Sequence, residues 1–100
     1  MSKQCLTLTC SPSAEEQLLD ILLENADCGA FTSVRGYVHG ATQETLSASE
    51  QVMGRSHALV LQIILEEDVM HVLLERLRTE LNGSGIRYWA SPVTHTGEIK

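Results

Sequence analysis

His57-Ala58-Leu59-Val60-Leu61-Gln62-Ile63-Ile64-Leu65 is the stretch on which the fold turns. Side chains of a strand alternate between two faces. Leu59, Leu61 and Ile63 then share one side, and Ala58, Val60 and Ile64 share the other. A strand that is apolar on both sides needs cover on both sides. One cover has to come from helices of the same chain, and self-association is the natural source of the other.

Upstream, residues 40–50 read Gly-Ala-Thr-Gln-Glu-Thr-Leu-Ser-Ala-Ser-Glu, small and polar and too long for a tight hairpin turn. Long loops of this kind are often functional. Before the loop, residues 31–38 (Phe-Thr-Ser-Val-Arg-Gly-Tyr-Val) carry the β-branched and aromatic residues of a strand. Earlier still, residues 4–10 alternate, with Leu6, Leu8 and Cys10 on one side and Cys5, Thr7 and Thr9 on the other. Between these two strands, Ser13 and Glu16 fit a capping box at the start of a helix that runs to about Asn25. Its apolar stripe is Leu18, Leu19, Ile21, Leu22 and Leu23, and Glu15, Glu16, Asp20 and Glu24 keep the other side wet.

Downstream, residues 68–81 predict a second amphipathic helix with Val69, Val72, Leu73, Leu77 and Leu81 inward and Asn82-Gly83 as its stop. Residues 85–93 return as a last strand, on which Tyr88 and Trp89 face opposite sides. One of the two is expected in the core and the other at a subunit contact or ligand cleft, with Trp89 read as packed. The order is β-α-β-β-α-β, which predicts an α+β, ferredoxin-like domain: a four-stranded antiparallel sheet with two helices on one face. No repeat or composition break divides residues 1–100, so a single domain is expected.

Thirteen acidic and seven basic side chains give a formal charge of -6, which repels phosphodiester backbones and argues against a nucleic-acid partner. The N-terminal Met-Ser-Lys-Gln lacks the pattern of a secretory signal, so a cytoplasmic location is expected. Three cysteines, Cys5, Cys10 and Cys28, suit neither a disulfide framework nor a zinc module and read as reduced thiols. Cys5 and Cys10 fall on opposite faces, so they cannot share a metal within one subunit, and Cys10 is read as core. His71 is expected to face outward. No nucleophile stands with a base and an orienting group, and no anion loop of acylphosphatase type is recognisable near Ser11-Pro12-Ser13-Ala14. These observations describe a binding or regulatory module rather than an enzyme.

The order of elements, Val34-Arg35-Gly36-Tyr37 leading into a long polar loop, and the closing strand Ile86-Arg87-Tyr88-Trp89-Ala90-Ser91-Pro92-Val93 together resemble the PII-like signalling proteins. The similarity is closest to a short branch often encoded near heavy-metal efflux systems, and the architecture is related to that of the CutA divalent-cation tolerance proteins. The resemblance implies a homotrimer with ligand clefts between subunits. It also implies a flexible loop, about 40–51, that contacts a partner protein such as a membrane transporter or efflux-system component. A C-terminal tail of about 94–100 follows the domain.

The chain departs from the nitrogen-regulatory pattern in three places. Gly36-Tyr37 is followed by Val38-His39-Gly40 rather than by glycine and arginine. The second glycine-rich loop has shrunk to Asn82-Gly83-Ser84-Gly85, without an Asp or a Lys. The tail, residues 94–100, lacks the terminal basic pair. The ATP site of that family is therefore incomplete here, and the tyrosine that its longer loop offers for uridylylation is absent.

Arg35, Gly36, Tyr37, His39 and Gly40 remain as the expected ligand-binding residues. Arg35 reads either as a planar donor fork for an anion or as a salt-bridged strand residue. His39, Met53 and His57 flank the loop and read either as ligands for a borderline metal such as copper or zinc or as surface histidines with a gap-filling Met. A nucleotide and a divalent metal are both open as the ligand. Three functions follow: a PII-like trimeric regulator, a CutA-like metal-tolerance protein, and an adaptor with no ligand.

Overall fold

The computed structural model describes residues 2–40 and 55–100. The alternation seen in the sequence becomes four strands: β1 (Lys3–Cys10), β2 (Thr32–His39), β3 (Arg55–Glu66) and β4 (Arg87–Val93). They form one antiparallel sheet in the order β2-β3-β1-β4. Two helices, α1 (Pro12–Glu24) and α2 (Glu67–Glu80), connect them in the expected α+β, ferredoxin-like arrangement.

Directly opposed residues of antiparallel strands share a face. Leu6 stands opposite Ile63, Leu8 opposite Leu61, and Cys10 opposite Leu59. This is the helix side, where Leu6, Leu8, Leu61 and Ile63 are fully buried. α1 adds Ala14, Leu18, Ile21 and Leu22, and α2 adds Met70, Leu73, Leu74 and Leu77. Both sets follow the i, i+3 or i+4, i+7 spacing of an apolar stripe. Arg76 ties the helices together by reaching Glu24 of α1 at 2.8 Å and Glu80 at 2.6 Å.

Two helix details correct the sequence reading. α1 starts at Pro12, whose fixed φ suits the first helical position, so Ser11 is the cap residue and Ser13 lies inside the helix. Ser11 and Ser13 instead bond each other at 2.8 Å, and no capping box forms. The stripe of α2 is also rotated: Met70 and Leu74 are buried, whereas Val72 is exposed, as is Leu23 of α1. Leu81 packs against the core after the end of α2, and His71 faces outward as expected.

Among the described residues no helix covers the other sheet face. Val34 is 60% exposed there, Ile64 44% and Trp89 55%. They surround half-buried Cys5, Thr9 and Val60 and buried Thr7 and Ala58. Trp89, expected to be packed, lies on this open face opposite Thr7. Tyr88 lies on the helix side, partly exposed, where its hydroxyl accepts a hydrogen bond from Arg78 at 2.8 Å. Among the described residues no helix is long and apolar enough to cross a membrane.

Candidate functional site at the loop end of the sheet

β1 ends at Cys10, β2 at His39, β3 starts at Arg55 and β4 at Arg87. The registers place His39 opposite Arg55, Cys10 opposite Leu59, and Thr9 opposite Arg87. The roots of the 41–54 segment and the segment 82–86 therefore share one end of the sheet. They sit on opposite edges, because β3 and β1 separate β2 from β4. Three strand steps of ~4.8 Å put the edges about 14 Å apart.

Arg35 stands opposite Leu59, Tyr37 opposite His57, and His39 opposite Arg55, so Arg35, Tyr37, His57 and His39 all belong to the helix side of the two neighbouring strands. The rings of Tyr37 and His57 lie 5.0 Å apart between centroids, tilted by 40°. His39 is exposed at the end of β2. Gly36 points the other way, with open space where a side chain would stand, and Gly40 turns the chain out of the strand at φ 80°, a conformation that favours glycine. Met53 lies outside the described residues, and among those described no group of three or more His, Cys, Asp or Glu is placed to hold a metal ion.

Arg35 is engaged. Its guanidinium donates to both carboxylate oxygens of Glu15, at 2.9 Å and 3.4 Å. The pairing joins edge strand β2 to the first turn of α1. The arginine side chain is 75% exposed, the glutamate 19%. Of the two sequence readings of Arg35, the salt-bridged one describes this structure. The sequence pattern places Glu15 on a solvated helix face and does not reveal this pairing. Its position in the first helical turn, on a helix that must cover a sheet with an arginine on its edge strand, was the only available signal.

At the opposite edge, Gly83 (φ 83°) and Gly85 (φ 78°) bend the segment between α2 and β4. The Ser84 N–H donates to the Leu81 carbonyl at 3.1 Å, and the Ile86 N–H to Ser84 Oγ at 3.4 Å. A cleft of about 170 Å³ lies beneath, walled by Leu8, Leu74, Leu77 and Ile86, with Arg78 and Tyr88 also lining it. The three cysteines are free, and Cys10 and Cys28 are buried. Burial pushes both of these thiols up in pKa, helped by the charge of Glu15 at Cys10 and of Asp27 at Cys28. Neither is poised as a nucleophile.

The family model described as "Protein of unknown function (DUF3240)" matches residues 1–100. No curated protein is matched. Among solved structures, the chain is similar to a DUF3240 family protein from Shewanella baltica OS155, at 17% identity and TM-score 0.81, covering 100% of this chain and 99% of that one. It is also similar to CPII of Thiomonas intermedia K12, described as a nitrogen regulatory PII-like protein bound to ADP, AMP and bicarbonate. That match has 15% identity and TM-score 0.72, with 99% of this chain and 98% of that one covered. A third likeness is to the GlnK–ATP complex of B. subtilis, at 10% identity and TM-score 0.62, covering 93% of this chain and 83% of that one. At these identities the likenesses carry the fold.

Proposed function

The chain belongs to the DUF3240 family, and from that premise we propose that it is a PII-like regulatory protein rather than an enzyme. It binds an anionic small ligand, with adenine nucleotides the first class to test, between copies of itself. The supporting observation is the placement of its two glycine-bearing turns. Arg35-Gly36-Tyr37 and Gly40 stand at one sheet edge and Gly83-Gly85 at the other, at the same end. One copy cannot bring these edges to a single ligand, whereas a ring of copies sets the β2 edge of one against the β4 edge of the next. The open face with Val34, Ile64 and Trp89 supplies apolar surface for such a ring. A homotrimer is the assembly the PII-like resemblance implies.

In this reading Arg35 anchors the anion, Tyr37 and His39 border it on the same side of β2, and Gly40 lets it approach the backbone where the strand ends. Occupancy reorders the 40–50 segment and changes its affinity for a partner protein, with an efflux-system component the partner that the resemblance suggests. Native mass spectrometry with ATP, ADP and AMP tests the proposal. The wild type should appear as a trimer carrying a nucleotide, and Arg35→Ala should weaken uptake by about tenfold or more, the worth of a charge-assisted hydrogen bond. A trimer that takes up none of the three, or an Arg35→Ala protein that binds as the wild type does, removes the nucleotide from this site.

A second reading, a CutA-like divalent-metal tolerance protein, draws on one observation: His39 and His57 share the helix side of adjacent strands, two register positions apart. Two imidazoles at the roots of the 41–54 segment suit zinc or copper if a residue of that segment such as Met53 adds a ligand. Zinc seen in the native mass spectrum of the wild type should vanish from the His39→Ala/His57→Ala protein. Unchanged stoichiometry would exclude these histidines as its ligands.

A further inference from the structure

We propose that Glu15 is a built-in competitor for the anion at Arg35, so that ligand binding has to break the contact between α1 and β2. The inference rests on the anion-binding reading above and adds a residue that reading does not contain. Glu15 occupies the terminal NH1 and NH2 groups of the guanidinium with both carboxylate oxygens. An incoming anion either displaces the carboxylate or sits beside it, and both carry a cost: the first loses two hydrogen bonds, the second sets like charges within a few ångströms.

The two partners are unequal. Arg35 lies mostly in solvent and can swing at little cost, whereas Glu15 is four-fifths covered and fixed on the first turn of α1. The first turn of a helix favours a carboxylate, so Glu15 is held in place whether or not Arg35 is on it. Arg35 is then the moving part, and it exchanges one carboxylate for another anion. The exchange releases edge strand β2 from α1 only when the ligand is present. The release starts five residues before Gly40, near the root of the 41–54 segment.

Replacing Glu15 by Gln keeps the side-chain length and removes the competing charge. Glu16 is the matched control, because it is exposed at the next helix position and carries the same charge. In calorimetric titrations with ADP and with ATP, E15Q should bind about fivefold more tightly than the wild type, the scale of one partly exposed ion pair. E16Q should stay within about twofold. The melting temperature of E15Q should not rise, which separates tighter binding from a stiffer fold. E15Q binding no more tightly than E16Q, while Arg35→Ala weakens uptake, overturns the competitor and leaves the Arg35 site standing. Wild-type affinity in Arg35→Ala overturns the site itself. No uptake by any variant, E15Q included, overturns both.

Discussion

Ile64→Glu should convert the assembled protein into single folded copies. Ile64 sits on β3 opposite Cys5, on the sheet face that no helix among the described residues covers, and it lies outside the buried core. In one isolated copy it is almost half exposed, so a glutamate there meets water and disturbs little. In an assembly whose sheets face each other, the same carboxylate is desolvated among Val34, Val60 and Trp89, and Lys3, the cation two residues from Cys5 on that face, already meets Glu66 at 3.9 Å. An unpaired buried charge costs several kcal/mol, enough to shift a micromolar association by orders of magnitude. Light scattering behind size exclusion should show the wild type at three times the 11.0 kDa chain and the variant at one. Far-UV circular dichroism should be unchanged. A variant with the wild-type mass would show that the interface lies elsewhere, and a wild type that runs as one copy would remove the ring and the intersubunit ligand with it.

The sheet was legible because period two is a strong signal where both phases are apolar, as in residues 57–65, and every strand boundary fell within a few residues of its expected place. The doubly apolar pattern of β3 also carried information that a single copy leaves unused, since Ile64 and Val60 are only partly covered. Helix phase was harder to read. Residues 69–74 hold Val69, Met70, Val72, Leu73 and Leu74, so several stripes compete over two turns. What decides among them is the continuation: Leu77 lies seven residues beyond Met70, whereas Arg76 ends the column that starts at Val69 and Val72. A methionine weighs less than a valine in such a reading, yet its unbranched chain fills the space between sheet and helix. The capping box failed for a local reason, because Pro12 already supplies the first helical φ.

The candidate site was legible only along the chain. Parity alone puts Arg35, Tyr37 and His39 on one side and Gly36 on the other, and the registers agree. The partner of Arg35 is twenty residues away, on another element, and no local pattern announces it. Both readings of Arg35 were chemically sound, since a fork that fits a ligand carboxylate or phosphate fits a glutamate equally well. The Tyr37–His57 ring contact depended on which residue of β3 faces which of β2, and the intervening segment hid that offset from the sequence. The chain also conceals that its two glycine turns share one end and lie on opposite edges. That fact comes from the strand order, in which β1, first in sequence, lies between β3 and β4.

Core energetics should be measured in the single-copy Ile64→Glu background, because melting of an assembly mixes dissociation with unfolding and depends on concentration. There Leu61→Ala is expected to lose about 3 kcal/mol, the middle of the range for a fully buried leucine. Leu61 has no exposed surface and stands opposite Leu8, which has none either, while Leu18 of α1 and Leu73 of α2 close the same core. Neighbours held from the strand side and from two helices have little freedom to collapse into the gap, so the cavity cost adds to the lost transfer energy. For a domain of this size the melting temperature should fall by roughly 12–20 °C, a large part of a total stability of about 5–15 kcal/mol. Val34→Ala in the same background should cost less than about 0.5 kcal/mol, since Val34 is mostly in solvent in a single copy. In the assembled protein the order narrows: Val34→Ala should cost more there than in the single copy, because its methyl groups are then removed from a buried interface. Urea titrations of both substitutions in both backgrounds give the four values needed. A Val34→Ala cost that is the same in both would mean that the open face stays wet in the assembly. A Leu61→Ala cost no larger than that of Val34→Ala in the single copy would contradict the placement of the core between sheet and helices.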